Sequence, residues 1–346
     1  MRIAIAVPLE EELVAKIREQ FPEHTVDYRP ELLPPRRFPA DHAGDPAFSR
    51  SDDAEKEYWD MLLDADILYG FPNESPEGLA RIVRESRKLR WIQAMAAGAG
   101  GALKSSGLTP EDLGDIIITS SAGVHARPLA EFAVMGVLEG FKDVAGLREQ
   151  QAKKEWPTVR QPVRLLDGST VVITGLGEIG METAHLLGTL GAKIYGTKRS
   201  PSDITGVGKV VTNAELGDLL PAADAVVNTL PGTPETEKLF DSAVFAAMKP
   251  GTVFVNVGRG TVVDEEGLLA ALNDGTVSYA CLDVFAVEPL PADSPLWEHP
   301  RVLVSPHTSA LSEAEARLIS ERFVANLRAL ERGETLPHTV DPVRFY

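Results

Sequence analysis

Cysteine is nearly missing from these 346 residues; Cys281 stands alone. A single thiol cannot close an internal disulfide, and its apolar setting, SYACLDVF, predicts a buried strand residue in a reducing, cytoplasmic compartment rather than a nucleophile. No apolar run reaches the roughly 18 residues that suggest a membrane helix. The first residues, MRIAIAVPLEEEL, read as a strand entering an acidic helix start, not as a signal peptide. Positive charge is also scarce: 34 Lys and Arg face 51 Asp and Glu, a net charge of -17. So acidic a surface repels phosphate backbones, and no basic stripe interrupts it, so neither nucleic acid nor a membrane is an expected partner. An anionic ligand needs positive charge gathered at its own site. Short-period repeats are absent too.

What is present fits a globular enzyme. Apolar residues make up 44% and charged residues 25%, and the length suits two ordinary domains. β-rich runs alternate with helical patterns, which predicts α/β architecture with parallel sheets. In the first third the spacing predicts strands at 2–7, 66–69, 90–93 and 115–119, with helices at 10–19, 54–63 and 76–86. Residues 30–53 are rich in Pro and charge and predict a long surface loop, packed on the outside of the first domain. Residues 128–141 form an apolar helix that either lies between domains or meets a second subunit. The pattern then restarts. Strands are expected at 170–174, 193–196, 225–229, 252–256, 278–283 and 301–304, and helices at 179–190, 242–248, 265–274 and 312–331.

The stretch ITGLGEIG ends a strand and opens a helix. Gly175, Gly177 and Gly180 permit a tight turn and close backbone approach, and the helix start, with Glu178 and Ile179, offers N–H groups to a pyrophosphate. Such a turn leads, about 20 residues on, to an acid that binds the adenosine ribose. That acid is lacking. Thr197, Lys198, Arg199 and Ser200 stand in its place. Taken alone they are solvated charges on a strand-end loop. Beside a dinucleotide turn they offer two cations and two hydroxyls to a 2′-phosphate, so NADP(H) is favoured over NAD(H).

Further strand ends carry more chemistry. NTLPGTPETEKLF, at a strand's C-terminal end, reads either as a plain strand-to-helix connection or as a turn that sets Thr229, Leu230 and Pro231 along the nicotinamide half of the cofactor. In VGRG, Val257 and Gly258 belong to the same wall, and Arg259, held between glycines, can clamp a carboxylate or polarise a carbonyl. Asp283 ends a strand, Glu288 follows in a Pro-punctuated turn, and His307 follows the next strand. Singly these are a capping acid, a loop glutamate and a surface histidine. Together, at the strand ends of one sheet, they form an acid/base set. No metal-ligand spacing appears.

The stretches GLGEIG, NTLPGTPET, VNVGRGTVVDE, LDVFAVEPLP and SPHTSA occur in an order that resembles the D-isomer-specific 2-hydroxyacid dehydrogenase family, in its NADP-type, glyoxylate/hydroxypyruvate reductase-like form. LRWIQAMAAGAG, AGVHARPLAEF and the tail HTVDP extend the resemblance over nearly the whole chain. It implies two Rossmann-like or flavodoxin-like domains, the first discontinuous: a substrate domain of 1–118 plus 306–346 around a cofactor domain of 119–305. It implies Arg259 as substrate-orienting arginine, Glu288 as carboxylate partner and His307 as general acid/base. Asp283 is then the aspartate beside the nicotinamide carboxamide, and Ala97, Gly98 and Ala99 form the turn that holds the substrate carboxylate. A small 2-keto or 2-hydroxy acid substrate and a homodimer through the apolar helix are also implied. Pocket shape is expected from residues 69–72, Met95 and Trp297. Ser120 and Ser121 depart from the family, which often has Asn there, as do the missing cofactor acid and the loop at 30–53. A corepressor-like NAD(P)H-binding regulator is the rival reading, opposed by the complete Arg259, Glu288, His307 set. A formate-type dehydrogenase is weaker, since no matching Gln accompanies His307.

Overall fold

The computed structural model of the chain describes residues 1–345. The chain forms two compact units, one of Met1–His125 with Leu311 onward, the other of Ala126–Ala310. No helix among the described residues is long and apolar enough to cross a membrane.

The first unit holds β1 (Arg2–Ile5), β2 (Thr25–Asp27), β3 (Ile67–Tyr69), β4 (Trp91–Gln93) and β5 (Ile117–Thr119), in the order β2-β1-β3-β4-β5. All pairings are parallel. This is the flavodoxin-like order. Its helices are α1 (Glu11–Gln20), α2 (Asp52–Leu63), α3 (Pro76–Glu85), α4 (Ala99–Ser105) and α5 (Pro110–Leu113), with a long C-terminal helix (Glu315–Glu331). β3 and β4 are buried at every residue, as expected of parallel strands covered on both faces. The Phe323 ring of the C-terminal helix stacks on Trp91, centroids 4.9 Å apart, and meets Tyr69 edge-on at 5.2 Å. Tyr69 and Met95 are therefore core residues, 0% and 1% exposed, and not the pocket wall expected of them. β2, α4 and α5 are additional to the elements the spacing predicts.

The segment at 30–53 is no external appendage. Leu32 and Leu33 are buried in the core with Trp59. Arg37 grips Asp41 through two parallel hydrogen bonds of 2.7 and 2.9 Å, and Gly44 N–H donates to the same carboxylate. The Arg37 side chain, joined by the amides of Arg37 and Gly44, outweighs burial and holds the Asp41 carboxyl down at about 2. Two buried leucines anchor the segment from within, which a Pro-rich and charged composition conceals.

The second unit continues with α6 (Ala126–Phe141), α7 (Val144–Lys153), α8 (Glu178–Thr189), α9 (Ser242–Ala246) and α10 (Glu265–Asp274), so the C-terminal helix is α11. Its strands are β6 (Thr170–Thr174), β7 (Lys193–Thr197), β8 (Lys209–Val211), β9 (Ala225–Asn228), β10 (Thr252–Asn256), β11 (Val277–Leu282) and β12 (Val302–Val304). They run parallel in the order β12-β11-β10-β9-β6-β7-β8, the doubly wound arrangement with its switch point between β6 and β9. α6 closes tightly on the sheet. A Cβ on Gly136 would lie 2.8 Å from Cys281 Sγ, and one on Gly140 would lie 2.5 Å from Val253 Cγ2. Cys281 is free and buried, as its setting predicts.

Candidate active site

The glycine turn between β6 and α8 has the form a dinucleotide needs. Gly175 has φ 90°, open to glycine at no steric cost. A Cβ on Gly180 would strike Gly175 O at 2.2 Å, whereas one on Gly177, the residue capping α8, would meet open space. Gly177 brings no side chain to the start of α8, so no capping side chain covers the helix's first turn, at Glu178 and Ile179. Thr229 Oγ1 donates to Gly175 O at 2.6 Å, and Gly175 N–H donates to Thr197 Oγ1 at 3.1 Å. The expected cofactor residues Thr229 and Thr197 thus brace the turn from both flanking strands. Thr197 is the last residue of β7 and fully buried, and Lys198, Arg199 and Ser200 emerge from it exposed. Across from them a hydrogen bond from Thr233, together with the charge of Arg199, holds the Glu235 carboxyl below its ordinary value.

Sequence reasoning passed over a buried amide network beneath these loops. Asn228 Oδ1 accepts from Thr174 Oγ1 at 3.0 Å and from Leu230 N–H at 3.2 Å, while its Nδ2 donates to Asn256 Oδ1 at 2.8 Å. Asn256 Oδ1 also accepts from Gly258 N–H, and its Nδ2 donates to Arg259 O. The loops carrying Leu230, Pro231, Val257 and Gly258 are set by this network. Its signal was available: a lone Asn closes each of two apolar strands, AVVN and FVN.

Arg259 is exposed three residues beyond the end of β10, and its Nη1 donates to Gly258 O at 2.7 Å. Gly260 allows the next turn to seat on Phe285, whose backbone carbon a Cβ would meet at 1.8 Å. β11 and β12 are neighbours with Leu282 opposite Val304, so the loops that follow them converge. Glu288, on the first loop, accepts Phe285 N–H at 2.9 Å and lies 2.7 Å from His307 Nδ1 on the second. Burial pushes the Glu288 carboxyl up. The hydrogen bonds of His307 and Phe285 and the charges of His307 and Arg259 outweigh it, holding the group below its ordinary value. The charge of Arg259 thus reaches the Glu288–His307 pair.

Asp283, 1% exposed, accepts hydrogen bonds from Ser305, Thr308 and Ser309. In the first unit, Ala97 and Gly98 form an exposed turn after β4, and Ala99 opens α4 and is buried. Ser121 N–H donates to Ala96 O at 3.2 Å and Ser121 Oγ to Ala94 O at 2.7 Å, so this serine supports the turn. Trp297 is 47% exposed and donates from Nε1 to Pro291 O.

Residues 134–309 match the profile of the family described as D-isomer specific 2-hydroxyacid dehydrogenase, NAD binding domain. Over 262 residues, 75% of this chain and 82% of the relative, the sequence is 31% identical to a glyoxylate/hydroxypyruvate reductase A of Yersinia enterocolitica. It is 34% identical to a protein of the same name from Citrobacter koseri, over 76% of this chain and 83% of that one. Among solved structures, a D-isomer specific 2-hydroxyacid dehydrogenase from Xanthobacter autotrophicus, in complex with NADPH and MES, superposes with a TM-score of 0.76 at 28% identity, covering 100% of this chain and 99% of the other. An NADPH-dependent glyoxylate/hydroxypyruvate reductase from Sinorhizobium meliloti, in complex with NADP and sulfate, gives 0.75 at 27% identity with the same coverage. The chain belongs to the D-isomer specific 2-hydroxyacid dehydrogenase family and is an NAD(P)-dependent oxidoreductase acting on the CH–OH group of 2-hydroxy acids.

Proposed function

We propose that the protein is a 2-keto acid reductase that uses NADP(H) in preference to NAD(H) and takes small substrates of the glyoxylate and hydroxypyruvate kind. The observation that carries this reading is the 2.7 Å contact of Glu288 with His307 beside Arg259. The unit of Ala126–Ala310 is the cofactor domain and the discontinuous unit is the substrate domain. Gly175, Gly177, Glu178, Ile179 and Gly180 hold the pyrophosphate, and Thr229, Leu230, Pro231, Val257 and Gly258 line the nicotinamide side. Lys198, Arg199 and Ser200, with Thr197 behind them, hold the adenosine 2′-phosphate, a role supported by the NADP complexes of the relatives.

A dinucleotide held by these residues would supply the hydride for the substrate's carbonyl carbon. Arg259 stabilises the charge that grows on the carbonyl oxygen and orients the substrate carboxylate, which the turn at Ala97, Gly98 and Ala99 receives. His307 delivers the proton from Nε2, because Nδ1 is committed to Glu288. Absorbance loss at the nicotinamide band, measured with NADPH and with NADH across glyoxylate, hydroxypyruvate, pyruvate, phenylpyruvate and branched keto acids, tests the reading. Fast turnover of a small keto acid with NADPH supports it, and a clear NADH preference overturns the cofactor assignment.

A homodimer belongs to the same reading, with the expected contact at helix 128–141, where Met135 is exposed, joined by the α7 that follows it. α7 buries none of its residues, and with 154–163 it places the exposed Leu147, Trp156, Val159 and Val163 around a cavity of about 700 Å³. A second copy covers this surface. Sedimentation of the wild type and of Trp156→Lys tests the assignment, which predicts a dimer that the variant weakens.

A further inference from the structure

His307 is a non-glycine residue in the left-handed region, with φ 54°, a conformation that side chains avoid. The chain on both sides of it is gathered round one carboxylate. Asp283 Oδ1 accepts from Ser305 Oγ at 2.6 Å and from the amides of Thr308 and Ser309 at 3.0 Å each. Asp283 Oδ2 accepts from Ser309 Oγ. The amide of His307 itself is 3.0 Å from both Asp283 O and Ser305 O. Two successive amides aimed at one oxygen form a nest for an anion, and the anion here is the chain's own side chain. Among the described residues, every donor to the Asp283 carboxylate belongs to 305–309. The family resemblance implies a contact of Asp283 with the nicotinamide; holding 305–309 is a second task.

We propose that Asp283, acting through the hydroxyls of Ser305 and Ser309, is the positioning group for His307. The carboxylate clamps the loop in its strained form, which keeps Nδ1 at Glu288 and presents Nε2 to the substrate oxygen. Ser305 and Ser309 act only through the imidazole and touch no reacting atom. Ser309 supplies both an amide and a hydroxyl, one to each carboxylate oxygen, so its hydroxyl fixes how the carboxylate is rotated within the loop. The proposal rests on His307 serving as the acid/base of a keto acid reductase.

The test compares Ser309→Ala with Ser309→Thr, which keeps the hydroxyl. Two readouts are taken: steady-state kinetics, and the His307 Nδ1–H resonance in protein labelled at histidine nitrogen. Ser309→Ala is expected to lower kcat on the order of tenfold or more, through displaced geometry. KM for the keto acid and Kd for NADPH should stay within about twofold. The resonance should move or broaden, and Ser309→Thr should restore both kcat and resonance. Wild-type kcat in Ser309→Ala with an unmoved resonance overturns the proposal. So does an equal loss in both variants with the resonance unmoved. If the wild type turns over no keto acid, the functional reading fails instead, and the resonance still decides the positioning.

Discussion

His307 Nδ1 and Glu288 Oε2 lie 2.7 Å apart although 19 residues separate them in sequence. The contact exists because β11 and β12 are parallel neighbours, which delivers both following loops to the same edge of the sheet. His307→Gln keeps a polar side chain but cannot give up a proton. Turnover of keto acid should fall roughly 10²- to 10⁴-fold, with NADPH binding retained by fluorescence titration. Full activity in this variant would falsify the proton-transfer role.

The Glu288 carboxyl is held below its ordinary value, so the pair with His307 persists above that value and is lost only as pH falls through the depressed one. Glu288→Gln removes the charge without changing the shape. A profile of kcat against pH should show the wild type retaining its activity on the acid side, where carboxylates of ordinary strength already protonate. The variant should lack this dependence and run about tenfold or more slower throughout. Superimposable profiles would end the assignment.

Lys198 and Arg199 leave β7 exposed, in the place where an acid serves the unphosphorylated ribose. Arg199→Ala and Lys198→Ala should each raise KM for NADPH about tenfold, the scale of one charge-assisted contact, and leave KM for NADH unchanged. An equal rise for both cofactors would show that the cations do not recognise a phosphate.

Glu315 opens α11 and is 5% exposed, and its Oε1 lies 3.2 Å from His42 Nε2 and 3.1 Å from His125 Nε2. Burial pushes its carboxyl up, but the hydrogen bonds and charges of His125 and His42 bring it down to about 2. Glu315→Ala strands both rings and should cost about 3 kcal/mol, lowering Tm by roughly 6–12 °C. The carboxylate's contribution is complete above the ordinary carboxylate range and disappears as pH falls through about 2. The gap in Tm between wild type and variant should therefore persist at mildly acidic pH. Melting curves that coincide at neutral pH would remove Glu315 as an anchor of the segment at 30–53.

Burial first, then the charges of Glu139 and Asp283, push the Cys281 thiol up. The native protein should not react with an aromatic disulfide reagent, and reaction should follow the unfolding transition. Rapid labelling of the folded enzyme would contradict the packing of Gly136 on this thiol.

Local patterns carried much of this protein in the sequence. Alternating β-rich and helical runs specify parallel α/β layers, since each pattern depends only on residues a few places apart. The glycines of GLGEIG demand a tight strand-to-helix turn for steric reasons that need no tertiary context. The replacement of an acid by Lys198 and Arg199 is likewise legible in one line. Partnerships across the chain were decided only by the fold. Strand order unites Glu288 with His307, and closes Asn228 and Asn256 into one buried network. Tertiary burial turned Tyr69 and Met95 from pocket candidates into core, and anchored the loop at 30–53 through Leu32 and Leu33. It also gathered 305–309 round Asp283. The difference is physical: propensity and turn chemistry act over a few residues, whereas a buried polar group is satisfied by whichever donor the topology brings beside it.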